Sequence, residues 1–181
     1  MTDKYSALPL INLNEHTGFQ SYELAGHTNE NSPAIKVMTD FKHVAPVTID
    51  EDVRIDDALD KMRVYGVRLL LVIDNDKEVM GIISAKDIQS EKPVKISQEA
   101  RISRADIRVN MIMSPRSEIK VLNMANVANA QVGDIIRTLK QYGRQHLLVI
   151  DSDVTNSQQK VRGLFSTTQI SKQLGKDLLV I

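Results

Sequence analysis

The chain has 181 residues, 23 basic against 23 acidic side chains, 42% hydrophobic and 4% aromatic residues, and neither Cys nor Trp. That length suits one ordinary domain or two small ones built on an aliphatic core. The balanced charge carries no bulk signature of nucleic-acid or membrane-surface binding, and the lack of Cys excludes disulfides, thiolate metal sites and cysteine nucleophiles.

The opening "MTDKYSALPLINLNEH" has no basic stretch followed by an apolar run, and no apolar run approaches the length of a membrane span. A cytoplasmic location is therefore expected. Residues 1–33 read as a polar extension with turn formers and no sustained period; its apolar piece, "YSALPLINL", is expected to dock on the domain.

From residue 34 onward the chain repeats itself. "RIDDALDKMRVYGVRLLLVID" (Arg54–Asp74) matches "QVGDIIRTLKQYGRQHLLVID" (Gln131–Asp151), with Tyr65 and Tyr142 77 residues apart. Gly81 and Gly163 are 82 apart, so the second copy carries five more residues, placed in the polar "SDVTNSQQK" as a lengthened, solvent-exposed hairpin. The first unit is assigned to 34–105, with its linker, and the second to 106–181.

Each unit is predicted to run β-α-β-β-α. A leading strand falls near "PVTI" (Pro46–Ile49) and its counterpart in "IKVLNM" (Ile119–Met124). Ile55, Ala58, Leu59 and Met62 make one helical stripe, and Val132, Ile135, Ile136 and Leu139 make the other. Gly66 and Gly143 stand where a left-handed C-cap is wanted. "LLLVI" (Leu69–Ile73) and "LLVI" (Leu147–Ile150) suit strands covered on both faces. After an acidic turn, "VMGIIS" and "VRGLFS" are second strands, each followed by a short helix. Pro93 is expected to cut the first closing helix, and "SRADIRVNMIM" (Ser103–Met113) to form a helix leading into the second unit. "VMTDF" (Val37–Phe41) and "NMIMSP" (Asn110–Pro115) are matching lead-ins.

The repeated phrases "GIISAKDI" and "GLFSTTQI" have two readings. Ser84-x-x-Asp87 and Ser166-x-x-Gln169 at strand-to-helix junctions make capping boxes, each contributing about 1 kcal/mol. They also place a hydroxyl and an acceptor where a ligand could bind. His16, His27, His43 and His146 have no metal-ligand spacing, and there is no phosphate-binding loop or nucleophile elbow.

In "VMTD", "VTIDEDVRIDDAL", "VRLLLVID", "GIISAKDI", "VGDIIRTL", "GRQHLLVID" and "GLFSTTQI", in this order and duplication, the chain resembles a tandem pair of CBS domains, a Bateman module, over roughly residues 34–175. The resemblance implies an α/β (α+β) fold of two β-α-β-β-α units packed about a pseudo-twofold axis. It implies no enzymatic activity and no cofactor, but an adenosine nucleotide (AMP, ADP or ATP) as regulatory ligand, a homodimer, and a separate effector protein. By the same resemblance Asp87 would accept the ribose hydroxyls, Ser84 would support the ribose or a phosphate, Lys86 and Arg68 would meet phosphates, and Thr48 and Ile49 would offer backbone groups to adenine. Ser166, Thr168, Gln169 and His146 would form a weaker second site. The family habit of a proline in the middle strand is missing; Leu71 and Leu148 stand there. Together with the uncharged Gln169, this motivates an alternative: a non-catalytic dimerisation or scaffold protein whose clefts no longer take nucleotide.

Overall fold

The computed structural model describes residues 9, 10, 12, 28–152 and 159–178. The expected docking of the apolar piece of the extension falls mostly outside these residues, although Leu10 is described and is fully exposed. The tip of the lengthened hairpin also lies outside them. Of the C-terminal "DLLVI", Leu178 packs on the core of the second repeat, and its N–H donates to Ser171 Oγ at 3.0 Å.

The elements in chain order are β1 (Thr39–Asp40), β2 (Thr48–Asp50), α1 (Ile55–Tyr65), β3 (Leu69–Ile73), β4 (Val79–Ser84), α2 (Ala85–Gln89), α3 (Lys92–Ala100), α4 (Val109–Ile112), β5 (Ser114–Pro115), β6 (Leu122–Asn123), α5 (Met124–Val127), α6 (Val132–Gln141), β7 (His146–Ser152), β8 (Gln159–Ser166) and α7 (Thr167–Leu174). They form two four-stranded sheets, ordered β2-β3-β4-β5 and β1-β8-β7-β6. Each has one parallel pair, β2 with β3 and β6 with β7, the remaining pairs being antiparallel.

Strand alternation explains the unbroken aliphatic runs. Leu70 and Val72 face the helices and pack with Ile55, Ala58, Met62 and Ile83. Leu69 and Leu71 face the other way and meet Leu148 of the opposite sheet. β3 is thus buried on both faces, as its composition requires. α1 and α6 bury the predicted stripes, and each is followed by a left-handed glycine, Gly66 at φ 64° and Gly143 at φ 57°.

Each repeat completes the other's sheet. β1, from the first lead-in, pairs with β8 of the second repeat, and β5, from the second lead-in, pairs with β4 of the first. The cores are exchanged in the same way. Ala34, Val37 and Met38 pack with Val132, Ile135, Leu139 and Phe165, while Ile107, Val109 and Ile112 pack with Ile55, Ala58 and Leu70. Backbone bonds repeat the exchange: Ala34 N–H donates to the Ala130 carbonyl and Val132 N–H to that of Ser32, just as Ile55 N–H donates to Ile107 and Val109 N–H to Val53. A nearly buried Asp40–Arg162 ion pair further ties the first lead-in to β8.

Three local expectations are corrected. Pro93 does not cut a helix; it sits in the first turn of α3, where its missing N–H costs nothing, and the break falls before it at Ser90. Ser103–Met113 is not one helix. A 3-10 turn at Arg104–Asp106 is followed by extended backbone at Ile107 and Arg108, because the Ile107 carbonyl and Val109 N–H are taken by the start of α1. The leading strand expected in Ile119–Met124 is confined to Leu122–Asn123.

Gly81 and Gly163 carry this arrangement. A Cβ on Gly163 would lie 2.7 Å from the Thr39 carbonyl oxygen and 2.9 Å from Met38 Sδ; on Gly81 it would lie 2.6 Å from the Ser114 carbonyl oxygen and 2.9 Å from Met113 Sδ. The obstructing oxygens are backbone atoms of the exchanged strands, so no rotamer change relieves the contact. Gly163→Ala and Gly81→Ala should each cost about 1–3 kcal/mol, read as a lower denaturant midpoint. An unchanged midpoint in both would show that the lead-ins do not need this approach.

Candidate functional site

Two clefts open between the sheets, and the smaller reaches the junction of β8 with α7. The first, about 320 Å³, is bounded by Thr39, Tyr65, Arg68, His146, Ser166 and Gln169. The second, about 460 Å³, is bounded by Ser114, Ile82, Leu122, Tyr142, Arg144 and His146. Tyr65 and Tyr142 are repeat equivalents, as are the lead-in residues Thr39 and Ser114, each opposite a closing strand. Leu69 and His146 border both clefts. They too are 77 residues apart, so the shared wall is one pair of equivalent positions, leucine in the first repeat and histidine in the second.

Of the residues expected at the first site, Ser84, Lys86, Asp87 and Arg68 do not line the larger cleft, which takes only Ile82 from β4; Arg68 borders the smaller cleft, and Asp87 sits at the β4–α2 junction beyond Ile82. The full capping box is formed: Ser84 Oγ accepts from Asp87 N–H at 3.2 Å, and Asp87 Oδ2 accepts from Ser84 N–H at 3.0 Å and from its hydroxyl at 2.5 Å. The other carboxylate oxygen, Oδ1, meets Lys92 Nζ at 2.7 Å. Burial would raise this carboxyl, but Lys92 and the two Ser84 bonds outweigh it and hold Asp87 below the ordinary carboxylate range. Asp87 is thus an ionised acceptor with a cation already on it. Lys92 was missed in the sequence because it lies beyond the motif, brought back by the break at Ser90.

The second repeat differs. Ser166 Oγ accepts from Gln169 N–H at 3.1 Å, but no bond returns from the Gln169 amide to the Ser166 backbone. The expected second capping box is therefore half made, and the Gln169 side chain lies on the smaller cleft instead, beside Thr168 and Lys172. A carboxylate is drawn to the N-terminal N–H groups of a helix by charge, and a neutral amide is drawn less.

His146 stands at the junction. Burial first, and then the neighbouring Arg68, press its pKa down from 6.5 to about 4, against a smaller opposing pull from Asp87. It is neutral at pH 7 and offers one donor and one acceptor. Arg68 and Lys86 share a surface hollow with Ser90 and Gln145, so two cations flank the region of Asp87 and His146.

Thr48 and Ile49 are not brought to this group. β2 pairs with the far half of β3, Thr48 opposite Leu71 and Ile49 opposite Val72. Thr48 lines a cavity at the other end of the interface, and Ile49 is buried under the helices. The leading-segment residues that do reach the clefts are Val44, Ala45 and Val47 at the smaller one and Ile119–Leu122 at the larger. Strand alternation could have excluded the Ile49 side chain, whereas the register of a parallel pair has no local signal. Among the described residues no group of three His, Asp or Glu could hold a metal ion, and no helix is long and apolar enough to cross a membrane.

A family model described as the CBS domain matches residues 34–94. Inosine-5'-monophosphate dehydrogenase of Aquifex aeolicus is 25% identical over 130 residues, 72% of this chain. The chain spans about a quarter of that relative's length, 23%. Among solved structures, an uncharacterized conserved protein from Pyrococcus horikoshii superposes with a TM-score of 0.57 at 19% identity, covering 80% of this chain and 93% of its own. CBSX2 in complex with AMP superposes with a TM-score of 0.52 at 20% identity, covering 78% and 94%.

The state of His146 makes stability depend on pH. In the unfolded chain it takes up a proton below 6.5, and in the folded chain only near 4. Between these values the unfolded state binds more protons, so stability falls as pH falls. From pH 7 to 4.5 the loss from this group should be roughly 2–3 kcal/mol. His146→Leu, which copies the Leu69 side of the wall, should flatten that part of the curve in denaturant titrations. A variant with the wild-type pH slope would place the loss elsewhere.

Proposed function

We propose that this chain, which carries a CBS domain and folds as a tandem CBS pair, is a regulatory ligand-sensing module that binds an adenosine nucleotide and acts on a separate partner without catalysing a reaction. The observation that carries this reading is Asp87: an ionised, part-buried carboxylate at the β4–α2 junction, paired with Lys92 and near enough to act electrostatically on His146 of the shared cleft wall, with Arg68 and Lys86 in the neighbouring surface hollow. A carboxylate accepts two hydrogen bonds and suits the vicinal hydroxyls of a ribose. The cations suit a phosphate. Aliphatic Ile82, Leu69 and Leu122 suit the faces of a base. The bound AMP of CBSX2 supports the ligand class.

In this reading Asp87 exchanges its Lys92 contact for the ribose, Ser84 holds the carboxylate in place, and the segment Ile119–Leu122 approaches the base where Thr48 and Ile49 were expected. The cleft of Ser166, Thr168 and Gln169 is the weaker site, because Gln169 offers one uncharged acceptor. His146, between the two, meets whichever ligand enters. The module works as a homodimer: Val64, Tyr65 and Tyr142, on and after the long helices of the two repeats, are exposed apolar surface that a second copy would cover.

AMP, ADP and ATP are to be titrated in a thermal-shift series. Ligand at 100 times its dissociation constant adds about 2.7 kcal/mol, which moves the midpoint of a domain this size by about 5–11 °C. Asp87→Ala should abolish most of that shift and also lower the ligand-free midpoint, since the cap is lost. Gln169→Ala should leave both nearly unchanged. Nucleotide binding that survives Asp87→Ala would assign the carboxylate to capping. No shift from any nucleotide at millimolar concentration would favour the scaffold reading that Gln169 suggests. Sedimentation at tens of micromolar should show twice the 20.3 kDa chain mass; a monomer alone would refute the dimer.

A further inference from the structure

A cavity of about 650 Å³ lies at the other end of the sheet–sheet interface, between strands β3 and β4 and strands β7 and β8. It straddles the pseudo-twofold axis. Its floor is made of repeat-equivalent pairs: Leu71 with Leu148, Ile73 with Ile150, and Val79 with Val161. All six side chains are aliphatic. Leu71 and Leu148 occupy the two middle-strand positions that set this chain apart in its sequence, and both departures therefore contribute to the same surface.

The rim is not symmetric, and it is basic. Lys77, Arg116 and Lys160 surround the opening with Glu78 as the acid among them. Arg116 is matched to Glu78 at 3.6 Å. Lys77 and Lys160 are exposed, and their ammonium groups have no carboxylate partner among the described residues. Two cations outside any ion pair among the described residues, Lys160 with Asp151 opposite it across the β7–β8 ladder and Lys77 between Asp76 and Glu78 in its turn, thus stand over an aliphatic floor whose volume falls within the range of small-molecule sites.

We propose that this cavity binds an amphipathic carboxylate of the fatty-acid class, its chain on the floor and its carboxylate between Lys77 and Lys160. A chain is favoured over a planar ring because the floor presents branched aliphatic groups with little to stack on. The gain comes from removing apolar surface from water, with the charge setting orientation and sign. The cavity adjoins the clefts, sharing Ile119, Val121 and Leu148 with the larger and Phe41 and Leu71 with the smaller, but its cations Lys77 and Lys160 border neither cleft.

The probe is dodecanoate, titrated calorimetrically into the full chain, with dodecyltrimethylammonium as the cation of equal chain length. Dodecanoate should bind saturably at one site per chain, and the cation at least about tenfold more weakly. The double variant Lys77→Glu, Lys160→Glu changes only exposed side chains. It should lower dodecanoate affinity by on the order of tenfold and leave AMP-induced stabilisation, where present, unaltered. Absence of saturable dodecanoate binding, equal binding of the two probes, or full affinity in the double variant would each overturn the proposal. A double variant that instead changes the sedimenting mass, with no dodecanoate bound by the wild type, would show that the occupant is a second copy of this chain.

Discussion

The structure depends on a backbone-to-backbone approach that only glycine permits. Thr39 and Ser114 bring their carbonyl oxygens to within 2.6–2.7 Å of where a Cβ would stand on Gly163 and Gly81. Without that approach β1 and β5 could not join β8 and β4, and the lead-ins would lose their sheet edges. Because each lead-in belongs to the other repeat's sheet, neither repeat has a complete core by itself. The exchange also creates the clefts, since each is bounded by a closing strand of one repeat and a lead-in of the other. Fold and site therefore rest on the same two residues.

Much of the architecture was legible in the chain because its determinants are local. A helical stripe, a left-handed glycine and an aliphatic run recur in order, and each dictates its element through dihedral preference and burial. What was not legible is nonlocal. "VMTDF" and "NMIMSP" are recognisable as equivalents, yet nothing in them says which sheet they join. The helix expected through Ser103–Met113 failed for the same reason: the backbone of Ile107 and Val109 is captured by residues more than 50 positions earlier. Site residues divide in the same way. Ser84 and Asp87 were identifiable from their spacing, and the capping reading and the ligand reading of that phrase are physically compatible. Lys92 was not, since a helix break at Ser90 had to fold it back. Gln169 was misassigned to a full cap because spacing alone does not weigh an amide against a carboxylate.

The two halves share a backbone plan and differ in charge. Asp87 is an anion held by Ser84 and Lys92; Gln169 is neutral and faces its cleft without an intramolecular side-chain bond among the described residues. Leu69 and His146 repeat that asymmetry on the axis. An apolar leucine tolerates burial without condition, whereas the imidazole is buried only while neutral, and Arg68 beside it enforces that state. A duplicated fold has in this way acquired two unlike clefts with a common wall whose one titratable member touches both.

The two leucines show how one substitution acts on both backbone and side chain. Leu71 donates its N–H to the Val47 carbonyl at 3.1 Å. Proline has no N–H to give, so leucine adds a hydrogen bond where β2 enters the sheet. That bond accompanies the register that sets Thr48 opposite Leu71. The side chain meanwhile points to the other sheet and packs with Leu148 and Leu69. The interface thus has two ends of different chemistry: one where capped helices, Asp87 and Arg68 gather charge around His146, and one where paired aliphatic side chains make an apolar floor under a basic rim. The same strand, β3, runs from one to the other, so a ligand at either end presses on a single rigid element buried on both faces.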